Sequence, residues 1–159
     1  MEREEFTRLV HKEQETLRRL LLAMCLGDRA LADDLAQETL VKAYLSCSGY
    51  RDEGKFVAWL YRIAYHTLLD HQRSLRTTAP LDAAREVAGE GQADSSFRYE
   101  ALYSALATLP HGERTAILLF YIKGYQVKEI ADIMECNPDA VKKQLQRGRE
   151  HLKQILGKE

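Results

Sequence analysis

Residues 124–152 contain two short amphipathic patterns separated by a break, and this arrangement limits what the chain can fold into. Apolar residues recur at helical spacing over residues 127–134, and again over residues 141–152. Between them, Asn137 can cap a new helix with its side-chain oxygen, and Pro138 suits the first helical position, where no amide donor is needed. The pattern predicts two helices joined by a tight turn.

The second of these helices has a basic outer side. The polar residues that lie mostly off its apolar stripe are Lys142, Lys143, Gln146, Arg147 and Arg149. A short turn followed by an exposed basic helix is typical of the helix-turn-helix, whose second helix enters the DNA major groove. Amphipathic helix pairs with exposed cations also occur in bundles that bind no DNA, so this stretch alone leaves both interpretations open.

Helical periodicity extends over most of the remaining chain, without a strand pattern or an internal repeat. Helices are predicted over about residues 2–26, 28–45, 55–76, 97–110 and 112–122. Residues 77–96 contain Pro80, two glycines and few large apolar residues, and carry a net charge of about −3, which predicts a flexible linker. The expected fold is all-α: two small helical bundles, residues 1–76 and 97–159, joined by that linker.

The composition favours a cytoplasmic, soluble protein. Apolar residues make up 45% of the chain and charged residues 30%, and no apolar run is long enough to span a bilayer. We expect no secretory leader, and the three widely spaced cysteines suit reduced thiols better than disulfides. Because the formal net charge is only −1, any nucleic-acid interface has to be a local basic patch.

The third predicted helix and the loop before it combine aromatic rings with cations. These residues include Tyr50, Trp59, Arg62, Arg73 and Arg76. Single-stranded nucleic acid is bound by such surfaces, because bases stack on the rings at about 1–3 kcal/mol each while the cations contact phosphates. Several rings of this helix also suit a helical core, so the segment by itself leaves a purely structural role open.

Acidic and amide side chains share one face of the second predicted helix. Asp34, Gln37 and Glu38 are three and four residues apart, which makes them neighbours on a helix. Acidic residues early in a helix often serve only the helix dipole or solubility. A protein-docking surface is the more specific interpretation.

The sequence offers little for catalysis. His66, Asp70 and His71 are close in sequence, but only His66 and Asp70 share a helix face, and no second group of ligands occurs at a recognisable spacing. A phosphate-binding glycine loop, a nucleophile elbow and a Cys/His dyad pattern are also missing. We therefore expect neither an enzyme nor a bound metal or cofactor.

Three ordered segments together resemble the extracytoplasmic-function sigma factors, the smallest members of the sigma-70 family. They are DDLAQETLVKAY at residues 33–44, FVAWLYRIAYHTLLDHQR at 56–73, and LATLPHGERTAILL at 106–119 with the following helix-turn-helix at 129–156. Their order and spacing also agree with that family. The resemblance covers essentially the whole chain.

The resemblance implies that residues 1–76 are sigma region 2. Asp34, Gln37 and Glu38 match the family positions that dock on the clamp coiled coil of the polymerase beta-prime subunit. The loop at residues 49–54 and the third helix would recognise and open the minus-ten promoter element. The implied contact residues are Tyr50, Arg51, Lys55, Trp59, Arg62, His66, Arg73 and Arg76.

Residues 97–159 would then be sigma region 4, which binds the minus-35 element. The implied contact residues are Asn137, Asp139, Lys142, Lys143, Gln146, Arg147 and Arg149. The implied partners are core RNA polymerase, through the beta-prime coiled coil and the beta flap, promoter DNA, and an anti-sigma factor. The expected function is that of an alternative sigma factor that directs promoter-specific initiation.

Some positions depart from the family pattern. Tyr65 and His66 stand where the family usually has Arg-Asn, and Glu135 occupies a turn position that often holds glycine. Gln126 replaces the usual Ser or Thr cap, which leaves Glu129 without a hydroxyl partner for a capping box. The start of the recognition helix carries Asp139 and Ala140 in place of the common Gly-Thr. These differences bear on promoter preference more than on the class of protein.

Two alternative functions would account for only some of these sequence features. A stand-alone helix-turn-helix regulator with an N-terminal sensing domain would need the C-terminal motif, but not the two segments at residues 33–44 and 56–73. A module that only sequesters polymerase would bind polymerase without directing initiation.

Overall fold

The computed structural model describes residues 1–51, 54–78 and 93–157, and this part of the chain is helical without a strand. Its helices are α1 (Arg3–Met24), α2 (Arg29–Ser46), α3 (Phe56–Thr78), α4 (Ala93–Ala107), α5 (His111–Ile117), α6 (Val127–Met134) and α7 (Pro138–Leu156). A 3₁₀ turn, Cys47–Gly49, follows α2, and a π-helical segment, Leu118–Ile122, continues α5. The all-α prediction is confirmed.

Helix boundaries at the expected linker and at the end of α1 differ from the sequence-based expectation. α3 continues to Thr78 and α4 begins at Ala93, so both ends of the expected linker 77–96 are helical. The proline and glycines that indicated a linker all lie in residues 79–92, which are outside the described part of the chain. α1 ends at Met24, because Leu26 and Gly27 both have positive φ angles (58° and 89°) that a right-handed helix cannot contain.

The N-terminal bundle consists of α1, α2 and α3 packed around one apolar core. Its most deeply buried side chains include Leu17, Leu21, Leu35, Ala36, Leu60, Ala64 and Leu68. The Asp28 side chain caps α2 by accepting a hydrogen bond from the Leu31 amide at 3.2 Å, as the sequence predicted. The cap and the core together fix the direction in which α2 presents its outer face.

The C-terminal bundle packs α5 and α7 very closely. Gly148 of α7 lies against Ile117 of α5, and a Cβ atom at Gly148 would be only 2.9 Å from Ile117 Cγ1. Ile117 is itself buried, so it has little room to move away. Because residue 148 is a glycine, α7 of the helix-turn-helix can pack this closely against α5.

A buried arginine holds the end of α4. The Arg114 guanidinium donates to the backbone oxygens of Leu106 (3.0 Å), Leu109 (3.1 Å) and Ala107 (3.5 Å). The last carbonyls of a helix have no partner within the helix, so this side chain satisfies them. Its Nη1 also reaches the Met24 oxygen at the end of α1, 3.4 Å away, and so connects the two bundles. Burial lowers the pKa of Arg114 from its ordinary value.

We expect Gly148→Ala to destabilise the protein by about 1–3 kcal/mol, because the new methyl group meets Ile117 in a packed interior. At a solvent-exposed position inside a helix, Gly→Ala would instead stabilise the protein by up to about 1 kcal/mol. Urea unfolding at equilibrium measures the difference. Gly49→Ala is the matched control, since a Cβ there meets nothing within 4 Å; equal effects of both substitutions would contradict the close packing of α5 and α7.

Candidate nucleic-acid interface

The turn between α6 and α7 has the geometry of a helix-turn-helix. The Asn137 side chain accepts a hydrogen bond from the Ala140 amide at 2.8 Å, and Pro138 is the first residue of α7, both as predicted. α6 ends at Met134, and the next residue, Glu135, adopts the left-handed conformation (φ 55°, ψ 52°). The Cys136 amide donates back to the Ala131 oxygen at 3.0 Å, the bond pattern that closes a helix through a left-handed residue.

The outer face of α7 is exposed where the sequence predicted DNA contacts. Val141, Leu145 and Gly148 are buried on its inner side. The exposed residues are Asn137, Asp139, Lys142, Lys143, Gln146, Arg147 and Arg149. Arg149 is set apart from the others, because its Nη1 donates to the Tyr121 hydroxyl at 3.1 Å. The first turns of α7 thus present several cations and one acid, Asp139, to a ligand.

The start of α6 compensates partly for its unusual cap. Gln126 provides no hydroxyl, but the Glu129 carboxylate accepts a hydrogen bond from the Gln126 amide at 2.8 Å. This is the carboxylate half of a capping box, which satisfies one of the free amides at the start of the helix. The departure at Gln126 therefore leaves the helix-turn-helix intact.

Five of the residues predicted to contact the minus-ten element lie around one cavity. Tyr50 stacks on Trp59 with ring centroids 4.4 Å apart and planes inclined by 26°. The cavity beside this pair has a volume of about 220 Å³, and its wall includes Arg51, Lys55 and Arg62. An aromatic pair bordered by three cations can stack a base and contact its phosphate.

The other three predicted minus-ten residues lie elsewhere on α3. His66 is half-exposed and lies 2.6 Å from a carboxylate oxygen of Glu135, a hydrogen-bond distance. Arg73, further along the helix, contacts Asp70 at 3.3 Å. The side chain of Arg76 is outside the described part of the structure.

The two bundles contact each other through α3 and the helix-turn-helix. Arg62 Nε donates to the Asp132 backbone oxygen at 3.0 Å, and Arg62 Nη1 is 4.0 Å from Glu135. Glu135 therefore contacts both Arg62 and His66. We call these four residues, Arg62, His66, Asp132 and Glu135, the interbundle contact. Two positions that depart from the family pattern, His66 and Glu135, are thus bonded to each other.

An aromatic cluster next to the interbundle contact is buried between the bundles. Tyr61 of α3 is 1% exposed and meets Tyr125 edge-on, with ring centroids 6.0 Å apart. Lys123 lies over the Tyr61 ring, 5.8 Å from its centroid. Burial raises the pKa of the Tyr61 hydroxyl, and the nearby Tyr125 and Glu13 raise it further. The C-terminal bundle therefore covers part of α3 with apolar as well as polar contacts.

The outer face of α2 is polar at one end and apolar at the other. Asp34, Gln37 and Glu38 are exposed there, as expected for a docking surface, and Lys42 contacts Glu38 at 3.2 Å. The same face continues with Val41 and Leu45, which are 57% and 74% exposed. Val41 and Leu45 were not predicted from the sequence, although apolar side chains outside the buried stripe of α2 were an available signal.

A second surface missed from the sequence is an apolar groove of about 410 Å³ on the C-terminal bundle. Its walls come from α4, α5, the π-helical segment and α7. The lining residues are Leu102, Leu106, Ile117, Leu118, Tyr121, Ile122, Leu152 and Leu156, with Arg149 and Lys153 among the lining cations. A groove of this kind can hold the apolar face of an amphipathic helix.

The described residues contain no group of three or more His, Cys, Asp or Glu side chains arranged to hold a metal ion. His66 and Asp70, the pair considered from the sequence, have different partners: Glu135 for His66, and Lys42 and Arg73 for Asp70. Nor does any helix in the described part of the chain have the length and apolar character needed to cross a membrane.

Family models match both halves of the chain. The model for sigma-70 region 2 matches residues 9–78, and the model for sigma-70 region 4 matches residues 99–152. The chain is also similar to the extracytoplasmic-function RNA polymerase sigma factor SigW of Bacillus subtilis. The two are 34% identical over 148 residues, which cover 82% of this chain and 78% of SigW.

Two solved structures share the fold. The sigma factor RpoE, in complex with the anti-sigma factor NepR from Bartonella quintana, aligns with a TM-score of 0.79 and 23% identity, over 98% of this chain and 99% of that one. CnrH, in complex with the cytosolic domain of CnrY, aligns with a TM-score of 0.74 and 24% identity, over 98% of this chain and 90% of that one.

Proposed function

The chain belongs to the extracytoplasmic-function RNA polymerase sigma factors of the sigma-70 family, and we propose that it binds core RNA polymerase and directs it to promoters with paired minus-35 and minus-ten elements. The observation that carries this proposal is that one chain has both an exposed basic helix, α7, after a helix-turn-helix break and a cavity lined by aromatic and cationic side chains beside α3.

The C-terminal bundle binds the minus-35 duplex through α7. A helix fits the major groove, where cations contact phosphates and guanine while an acid can accept a hydrogen bond from cytosine. The exposed positions of Lys142, Lys143, Gln146 and Arg147 support this role. Asp139, near the start of α7, is the residue that we propose biases base choice. Arg149, bonded to Tyr121, contributes less to DNA than the sequence alone suggests.

The N-terminal bundle binds the minus-ten element as single-stranded DNA. Removing a base from the duplex stack costs a few kcal/mol, and stacking on a protein ring offsets part of that cost. Trp59 with Tyr50 provides the ring, and Arg51, Lys55 and Arg62 provide the neighbouring cations. Arg73 and Arg76 extend the basic surface along α3, where we propose that they contact the backbone of the same strand.

Polymerase binds the outer face of α2 and the apolar groove of the C-terminal bundle. Asp34, Gln37 and Glu38 are proposed to contact the beta-prime clamp coiled coil, and Val41 and Leu45 extend that surface with apolar area. The groove between α4 and α7 is proposed to hold the beta flap. The side chains of the α2 face are exposed, and so are Leu102, Tyr121, Ile122 and Leu156 of the groove, which supports the availability of both surfaces to a partner.

An anti-sigma factor is the proposed regulator. RpoE of Bartonella quintana is bound to the anti-sigma factor NepR, and CnrH is bound to the cytosolic domain of CnrY. The shared fold supports a partner of the same kind for this chain, and a sigma factor of this kind would act in the cytoplasm by binding rather than by catalysis. The alternative of a stand-alone helix-turn-helix regulator is not favoured, because region 2 as well as region 4 matches its family model.

In vitro transcription with core polymerase from the same organism tests the proposal directly. Adding the protein is expected to start transcription at a limited set of sites on genomic DNA, each preceded by the same two sequence elements. Core polymerase alone is the control. Binding to core without selective initiation would instead favour a protein that only sequesters polymerase.

We expect Lys142→Ala, Lys143→Ala and Arg147→Ala together to weaken binding of the holoenzyme to minus-35 duplex DNA. Each phosphate contact that is lost should also reduce the slope of log affinity against log salt by about 0.9. Fluorescence anisotropy over a range of salt concentrations measures both quantities.

The matched control for this variant removes three exposed cations from α1: Arg8→Ala, Lys12→Ala and Arg19→Ala. It changes the net charge equally without touching α7. If both triple variants lost the same affinity and slope, general charge rather than the recognition helix would account for binding.

We expect Asp34→Lys with Glu38→Lys to lower the affinity for core polymerase about tenfold or more, because like charges would face each other across the interface. Competition with a labelled wild-type protein measures the change. Leu45→Ser should weaken binding with little change in salt dependence, since it removes apolar contact only.

Glu4→Lys with Glu15→Lys makes the same change of charge on exposed positions of α1. This control should compete as well as the wild type does. Equal losses for the α1 and α2 variants would place polymerase elsewhere on the surface.

A further inference from the structure

We propose that Lys42 is a positioning residue for the proposed minus-ten surface of α3: it occupies one carboxylate oxygen of Asp70 and so keeps Arg73 available to the DNA backbone. This inference rests on the proposed function for the role of Arg73. It goes beyond that function by assigning a task to a cation of α2 that is itself neither a proposed DNA contact nor a proposed polymerase contact.

Lys42 is anchored between α2 and α3 by a buried hydroxyl group. Its Nζ donates to Thr67 Oγ1 at 3.2 Å, and Thr67 is only 1% exposed. The same hydroxyl donates its hydrogen to the Ile63 oxygen at 2.8 Å, so it can receive Lys42 only as an acceptor. A lysine ammonium has donors alone, so the two groups are complementary. The ammonium is therefore held at one place between the two helices.

The anchored ammonium faces a carboxylate on each helix. Glu38, one turn earlier on α2, is 3.2 Å away, and Asp70 Oδ2 on α3 is 3.8 Å away. The side chains of Glu38 and Asp70 are 54% and 58% exposed, and single ion pairs of that exposure contribute little to stability. The contact with buried Thr67 fixes the geometry that exposed pairs alone would not. Lys42 thus connects the proposed polymerase face of α2 with α3.

Asp70 divides its two oxygens between two cations. Oδ2 faces Lys42 at 3.8 Å, and Oδ1 accepts a hydrogen bond from Arg73 Nη1 at 3.3 Å. A guanidinium and a carboxylate pair most strongly when two parallel N–H groups meet both oxygens. Lys42 disfavours that arrangement, because it attracts one of the two oxygens. The Arg73 side chain stays 75% exposed, in a position to meet a phosphate.

This division determines how strongly Arg73 is held by its own protein. Without Lys42, both oxygens of Asp70 can turn to Arg73, and a phosphate then has to replace two charge-assisted bonds instead of one. With Lys42 in place, the charge of Asp70 is also partly compensated, so Asp70 repels a nearby phosphate less. Lys42 therefore assists DNA binding through Arg73, without contacting DNA.

Lys42→Met removes the ammonium and retains an unbranched side chain. It should lower the affinity of the holoenzyme for single-stranded DNA carrying the minus-ten element about 2–5-fold, and Lys42→Arg should bind nearly as well as the wild type. Fluorescence anisotropy measures this with an oligonucleotide taken from a start site mapped in the transcription assay. Core polymerase alone gives the background. About 0.15 M salt is suitable, because charges more than about 8 Å apart are then largely screened.

Two further backgrounds show whether Lys42 acts through Asp70 and Arg73. In Asp70→Asn, Lys42→Met should cause little loss of affinity, because an amide cannot form the two-bonded carboxylate pair. In Arg73→Ala it should also cause little loss, because the guanidinium is gone. A direct phosphate contact by Lys42, or a general effect of its charge, would lower the affinity equally in all three backgrounds. Equal losses would therefore overturn the proposal.

Affinity for core polymerase distinguishes this positioning role from a loss of structure. Lys42→Met also removes the cation beside Glu38, so the face of α2 becomes more negative and core polymerase should bind equally well or more tightly. A disturbed N-terminal bundle would weaken core binding and DNA binding together, and that joint loss would contradict the positioning role. Lys12→Met, at an exposed position of α1, makes the same change of charge and should alter neither affinity.

The contact itself is tested without polymerase. Urea unfolding of Lys42→Met, Asp70→Asn and the double variant should show a coupling of about 2–5-fold in the unfolding equilibrium constant. Independent effects of the two substitutions would overturn the contact. Failure of the transcription assay with the coupling intact would remove the proposed function, and with it the DNA role of Lys42. Selective transcription without the coupling would remove this inference alone.

Discussion

The structure depends on how one buried cation satisfies the ends of two helices. Arg114 donates to the Leu106 and Ala107 oxygens in the last turn of α4, to the Leu109 oxygen just after it, and to the Met24 oxygen at the end of α1. The last carbonyls of a helix have no partner inside that helix, and leaving them buried and unbonded is costly. The guanidinium therefore fixes the turn into α5, and the direction of α5 in turn sets where α7 packs at Gly148. The position of the recognition helix follows from this interaction.

Each proposed DNA-binding surface combines a packed interior with a polar exterior. α7 presents cations because its other side is held by Val141, Leu145 and Gly148. The cavity beside α3 has its shape because Trp59 stacks on Tyr50 and also contacts Phe56, whose ring is tilted by 47°. A surface held in this way loses little conformational freedom when it binds, so more of the contact energy contributes to affinity.

Much of this arrangement could be predicted from the sequence, because it depends on local chemistry. Helical periodicity and the Asn137–Pro138 break are short-range signals, and they located α6 and α7 correctly. The bond between His66 and Glu135 could not be predicted in the same way, since the two residues are 69 positions apart and meet only when the bundles pack. The apolar groove also needs the packed positions of α4 and α7, because none of its helices is unusual alone.

The outer face of α2 differs in chemistry between its two ends. Its carboxylates lie towards the start of the helix and its exposed apolar side chains towards the end. A partner helix with cations at one end and apolar residues at the other can pair with it in a single orientation, since the reversed pairing would set charge against hydrocarbon. The polymerase docking proposed for this face would therefore also determine the direction in which α3 lies, and with it the orientation of the proposed minus-ten surface.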